Sequence, residues 1–144
     1  MFSKSTEYAL RAVIFIAKNS TKDIKLSIDA ISEAIDSPKP FTAKILQKLS
    51  NNHAIVNSIS GPKGGFYMTD EAKKKSLVEV LNILNDEIIL EKCVLGLNKC
   101  SEINPCPLHE QYKHIKPKII EMFHNKTLQE LANEMDLNNL VLRN

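Results

Sequence analysis

Residues 36 to 40 read DSPKP, and this stretch constrains the fold more than any other. Pro38 and Pro40 cannot lie inside a helix, but they suit a tight turn and the first turn of a following helix. The flanking sequence is helical on both sides. From Thr6 to Lys18 the apolar residues Leu10, Val13, Ile14 and Ala17 recur at helical spacing without a breaker. Ser27 is placed to cap a second, shorter helix with Ile28, Ile31 and Ile35 along one face. A third helix is expected from about Phe41 to Ser50, with Phe41, Ile45, Leu46 and Leu49 as its apolar side. That leaves Lys44, Gln47 and Lys48 together on another face at i, i+3, i+4 spacing. Two helices, a turn and a third helix presenting amines and an amide form a helix-turn-helix, whose last helix enters the major groove.

The segment from Ala54 to Met68 reads as a hairpin. AIVNSIS is rich in β-branched residues, GPKGG is a turn, and FYM returns as a second strand. Gly61, Gly64 and Gly65 release the backbone for positive φ and close approach, and Lys63 sits at the tip. A basic hairpin directly after a recognition helix is a wing. Its glycines match neither the G-x-x-x-x-G-K-[ST] nor the G-x-G-x-x-G spacing of nucleotide-binding loops.

Charge supports an anionic partner for this half. Net charge is +2, but residues 1 to 75 hold 12 Lys+Arg against 7 Asp+Glu, giving +5, while residues 76 to 144 hold 7 against 10, giving −3. Between Ser37 and Thr69 stand Lys39, Lys44, Lys48 and Lys63 and no carboxylate. Ser37, Lys39, Lys44, Gln47 and Lys48, with Ser60, Lys63, Gly64 and Gly65 of the wing, are the candidate DNA-binding residues. No apolar run approaches the ~20 residues of a membrane span. The stretch Ala12 to Ala17 follows Glu7 and Arg11 and lacks a cleavage signature, so a cytoplasmic helix is expected there.

The second half is helical. Ser76 with Glu79, and Thr127 with Glu130, form capping boxes before Leu77, Val80, Leu81 and Leu84 and before Leu128, Leu131 and Met135. Leu108, Tyr112, Ile115, Ile119 and Phe123 mark a long helix that Pro117 should kink or whose start it should shift. More apolar surface than a small domain can cover predicts a symmetric dimer, matched to a palindromic site. The organisation expected is a winged helix-turn-helix over residues 1–75 and a helical dimerisation region over residues 76–144, mainly α with a small β-wing.

All three cysteines, Cys93, Cys100 and Cys106, fall in one polar loop that ends in His109. A chain of 144 residues needs no disulfide staples, and an odd cysteine count under reducing conditions points to metal or redox chemistry. The separations of six and five residues suit an iron-sulfur cluster better than structural zinc, which usually takes its ligands in close C-x₂₋₄-C pairs. Zinc remains an alternative on residue type. His53, His114 and His124 read as ordinary surface or helix histidines.

The succession TEYALRAV, FTAKILQKL, NSISGPKGGFYM and CVLGLNKCSEINPCPLH resembles the winged-helix regulators of the IscR/NsrR family over nearly the whole chain. The wing pattern S-x-x-G-P-x-G-G-[FY] and the three-cysteine loop carry the likeness, although the first cysteine interval is one residue wider than in those relatives. The resemblance implies a homodimer with crossed C-terminal helices and one cluster per subunit. It also implies a fourth ligand beyond the three thiolates: His109, which would accompany a two-iron cluster, or Glu7 from the partner subunit, which would accompany a four-iron one. His109 and a 2Fe-2S cluster are preferred because a local ligand needs little extra chain ordering.

The expected function is a cluster-dependent transcriptional repressor sensing redox state, iron-sulfur status or nitric oxide. The alternatives are a regulator of the same fold switching by cysteine oxidation or a partner protein, and a small metal or redox enzyme. No Ser-His-Asp set, phosphate loop or carboxylate pair supports an enzyme.

Overall fold

A computed structural model describes residues 2–86, 90–138 and 141–143. Helix α1 (Lys4–Asn19) starts where the Ser3 hydroxyl accepts from the Thr6 amide at 3.2 Å. It buries Thr6, Ala9, Ala12, Val13, Ile16 and Ala17, so small residues line much of its inner face and let neighbouring helices approach closely. Helix α2 (Ile28–Ala34) is capped by Ser27, whose side chain accepts from Ala30 N, and it ends at Asp36 with φ +54°. Helix α3 (Lys39–Ser50) follows, with Pro40 in its first turn. A 3₁₀ turn, Asn51–His53, then redirects the chain.

Strands β1 (Asn57–Ile59) and β2 (Gly65–Tyr67) pair antiparallel, Ser58 opposite Phe66. The hairpin is shorter than its sequence suggests. Ile55 and Val56 are fully buried, and both of their amides donate to Leu49 O, so the β-branched residues that open the segment serve the core. A third segment steadies the wing: Leu26 and Phe66 exchange backbone hydrogen bonds, both at 2.8 Å.

Short helices α4 (Asp70–Lys73) and α5 (Leu77–Ile83) lead away from the wing. Both expected capping boxes form: Ser76 N donates to Glu79 at 2.8 Å, and Thr127 and Glu130 cap each other reciprocally at 3.1 Å. Helix α6 (His109–Asn125) runs through Pro117 without its start being shifted beyond it. Pro117 is exposed, so its ring meets solvent on a helix side where nothing has to be packed. Helix α7 (Leu128–Asn138) packs back along α1.

One core joins both ends of the chain, with Val13, Ile16, Ile31, Ile45, Leu49 and Met68 buried beside Val80, Leu128 and Ala132. A second cluster of Leu81, Leu90 and Phe123 anchors the start of the cysteine segment to α6, with Phe2 edge-on to Phe123 at 5.3 Å.

Two lysines, Lys73 buried and Lys75 half-buried, stitch these parts together. Lys73 Nζ donates to Ser20 O at 2.7 Å, fixing the end of α1 to α4. Lys75 Nζ donates to Ala54 O at 2.6 Å, and the Lys75 carbonyl accepts from Leu128 N at 2.9 Å, so one residue links the exit of α3 to the start of α7.

Candidate functional site

Two surfaces carry the candidate residues. On α3, Thr42, Ile45, Leu46 and Leu49 face the core, while Lys44, Gln47 and Lys48 are exposed and line one groove with Ser5 and Phe41. Lys39 is also exposed and pairs with Asp29 of α2 at 2.8 Å, a contact that costs little to exchange for another anion. Ser37 lies differently from its expected role at the helix entrance. It is buried, and its hydroxyl accepts from Thr42 Oγ1 at 3.1 Å, which makes it part of the turn between α2 and α3. Phe41, expected on the apolar side, is 51% exposed. At 100° per residue it lies nearly in line with Lys48, seven positions on, and close to Lys44.

The wing places Ser60 and Lys63 in solvent. Its glycines are required by close approach: a Cβ on Gly64 would lie 2.0 Å from Ile59 O, and one on Gly65, at φ +147°, would lie 2.7 Å from Leu26 O. The hairpin can therefore close on itself and against Leu26 only with backbone alone at these two positions.

The second surface is the cysteine segment. Cys93 is buried, and its amide donates to Leu97 O at 3.3 Å while its carbonyl accepts from Gly96 N at 2.8 Å, a tight turn with Gly96 at φ +82°. Lys116 of α6 holds the segment by donating to Glu91 O at 2.6 Å. At the other end His109 N donates to Cys106 O at 2.9 Å, joining the last cysteine to the first turn of α6.

The three thiols and the His109 imidazole fall into two pairs. Cys93 and Cys106 stand close enough to influence each other's titration. The Cys93 thiol is lowered from its ordinary pKa, first by the Leu95 amide and then by Cys106, with burial opposing; the hydrogen bond to Cys93, which favours the protonated form, and burial raise that of Cys106. Cys100 Sγ lies 3.4 Å from Nδ1 of His109. His109 is buried, and its Nε2 has no hydrogen-bond partner among the described residues. Burial and the nearby Cys100 and Cys93 raise the pKa of Tyr112.

Among the described residues, no three His, Cys, Asp or Glu side chains converge as a site for a single metal ion. Glu7 lies apart from both pairs, in the first turn of α1, 3.6 Å from Lys4.

A recognition helix followed by a glycine-dependent wing defines a winged helix-turn-helix protein, here with a cysteine segment attached to its C-terminal helices. The family model described as Rrf2, iron-dependent transcriptional regulator, matches residues 2–134, and the chain belongs to that family. It is thus a DNA-binding transcription regulator and not an enzyme.

An Aquifex aeolicus protein assigned to the HTH-type transcriptional regulators is 33% identical over 135 residues, covering 92% of each chain. The regulator IscR of Yersinia pseudotuberculosis is 25% identical over 130 residues, covering 90% of this chain and 77% of its own. Among solved structures, CymR, the global cysteine regulator of B. subtilis, superposes with TM-score 0.73 at 21% identity over 93% of this chain and 97% of its own. IscR of T. potens gives TM-score 0.70 at 15% identity over 97% and 91%. No helix among the described residues is long and apolar enough to cross a membrane.

Proposed function

We propose that this regulator is a cytoplasmic homodimeric repressor whose affinity for a palindromic double-stranded operator is set by an iron-sulfur cluster on Cys93, Cys100, Cys106 and His109. One observation carries the reading: the buried His109 presents Nδ1 to Cys100 Sγ at 3.4 Å, an imidazole and a thiol placed side by side as donors to one iron.

The two donor pairs, Cys93 with Cys106 and Cys100 with His109, suit a 2Fe-2S cluster, in which each iron takes two protein ligands. Bound there, a cluster supplies a group sensitive to oxidants, iron-sulfur status and nitric oxide. The chain's own part is to hold the segment's two ends, at Cys93 and at the first turn of α6, in one arrangement. Glu7 of a partner subunit is the second candidate for the fourth ligand, and it would accompany a 4Fe-4S cluster.

The dimer reading is supported by α6 and its N-cap, where Leu108, Ile115 and Met122 are 41%, 51% and 53% exposed at a spacing of seven residues. This apolar stripe needs a cover. Within each subunit, residues 1–75 would read DNA through Lys44, Gln47, Lys48 and the wing, and residues 76–144 would bind the cluster and the partner.

A second reading is favoured by the contact between Cys93 and Cys106: the same fold switching by oxidation of those thiols without a cluster. Iron and acid-labile sulfide analysis of protein purified without oxygen separates the two. The cluster reading expects iron and sulfide in equal amounts, lost together in Cys100→Ala. Protein free of both that still responds to oxidant would overturn it.

A further inference from the structure

Phe41 is a large aromatic side chain on the open side of the recognition helix, and it is fixed there. Its ring meets that of Tyr8 edge-on, 6.4 Å between centroids and 60° between planes. Tyr8 is itself flanked by the Lys4 ammonium at 5.6 Å and the Arg11 guanidinium at 5.7 Å from its centroid. Arg11 also reaches Ile35 O at 3.4 Å, tying this cluster to the end of α2. An exposed ring held in this way loses little freedom when something covers it.

Phe41 divides two concavities. On one side it lines a groove with Ser5, Lys44, Ile45, Gln47 and Lys48; on the other it forms a small, mostly apolar hollow with Pro40 and Lys44. Lysines border both, and the sequence from Ser37 to Thr69 contributes no carboxylate. The occupant is therefore polyanionic with a small apolar group at its surface. Duplex DNA meets both conditions in the major groove, where the 5-methyl of thymine is the apolar feature and Phe is among the side chains that contact it.

We propose that Phe41 reads one thymine in each half-site through its 5-methyl group, seated in the hollow formed with Pro40 and the stem of Lys44. This rests on α3 entering the major groove and adds the base it selects. Lys44, Gln47 and Lys48 supply phosphate and base-edge contacts, whereas Phe41 discriminates by shape and burial.

The test uses duplexes selected by the full-length protein from a random double-stranded pool. Each thymine in turn is replaced by deoxyuridine, which removes the methyl and leaves every hydrogen-bonding atom. Wild-type protein is expected to lose about fourfold in affinity per half-site at one symmetric position, the loss for one methyl-sized group. Phe41→Ala should bind the thymine and deoxyuridine duplexes equally at that position while keeping its sensitivity elsewhere, and Phe41→Leu should fall between.

A selected duplex with no deoxyuridine penalty at any position would overturn the proposal and leave groove binding intact. So would a penalty unchanged in Phe41→Ala, or an affinity loss in Phe41→Ala that is the same for both duplexes. Failure to select any sequence would overturn the major-groove reading itself. Should Phe41→Ala fold poorly, the wild-type scan and Phe41→Leu still decide.

Discussion

Thr6, in the first turn of α1, donates its hydroxyl to the carboxylate of Asp86, eighty residues later and seven before Cys93. Thr6 is buried, and its oxygen also accepts from Ser3 Oγ at 3.1 Å. Two residues further along α1, Tyr8 meets Phe41 of α3. The same turn of α1 thus touches both the approach to the cysteine segment and the recognition helix. Thr6→Val keeps the shape and removes the donor. We expect a loss of about 1 to 2 kcal/mol in unfolding free energy, the range for a hydrogen bond to a charged group that retains some access to water. Chemical denaturation checks this, and the difference in DNA affinity between iron-loaded and iron-free protein should shrink in the same variant.

The wing prediction separates charge from shape. Lys63→Ala should reduce the slope of log K against log[salt] by about 0.9 per lost phosphate contact, with the preferred sequence unchanged. Gly64→Ala should act otherwise, because its Cβ would stand 2.0 Å from Ile59 O and the turn would have to open. Affinity should fall at least about tenfold, some 1.4 kcal/mol, at every salt concentration. The unfolding midpoint should move little, since Ser58, Ile59 and Ser60 lie outside the core. Binding titrations at several salt concentrations distinguish the two effects.

Several of these features were legible in the sequence. Serine or threonine followed three residues later by glutamate marked the starts of α5 and α7, since a capping box is a local device. DSPKP marked the turn into α3, and the wing glycines marked positions where a side chain does not fit. Phe41 reads from sequence as part of the apolar side with Ile45, yet its helical phase falls between Ile45 and Lys48, at the edge of that side, and the ring is 51% exposed. Ser37 reads from sequence as a binding residue, and the bond that its hydroxyl accepts from Thr42 within the turn leaves no local signal. Lys73 and Lys75 added to the positive charge of the first half, while their ammonium groups bond backbone carbonyls inside the protein. The pairing of Thr6 with Asp86 depends on tertiary approach and leaves no local signal. The gathering of three cysteines and His109 was readable, but their division into two pairs was not.

Ligand identity is tested by comparing His109→Ala with Glu7→Ala, reconstituted identically. His109→Ala should take up less iron and lose it faster, with an altered visible spectrum; Glu7→Ala, whose side chain pairs with Lys4 at the surface of the chain, should keep both. Mössbauer and visible spectra read the outcome.

Thiol titration provides a pH test on iron-free protein. Cys93 is lowered and Cys106 raised from the ordinary thiol value. A lowered group becomes thiolate at lower pH, so alkylation of Cys93 should rise with pH before that of Cys106. Peptide mapping across the pH range compares the midpoints of the two profiles rather than their plateau rates, which depend on how readily the reagent reaches each thiol. Cys106→Ala removes the donor to Cys93 and should move the Cys93 midpoint upward.

The central claim is that a cluster on the cysteine segment controls DNA affinity, and one measurement tests it most directly: operator affinity of a single oxygen-free preparation, titrated before and after its iron is removed. The account predicts a change of at least about tenfold on removal, equivalent to some 1.4 kcal/mol. The Cys93→Ala, Cys100→Ala, Cys106→Ala triple variant should match the iron-free value under both conditions. Equal affinity before and after removal, shared by the triple variant, would contradict it.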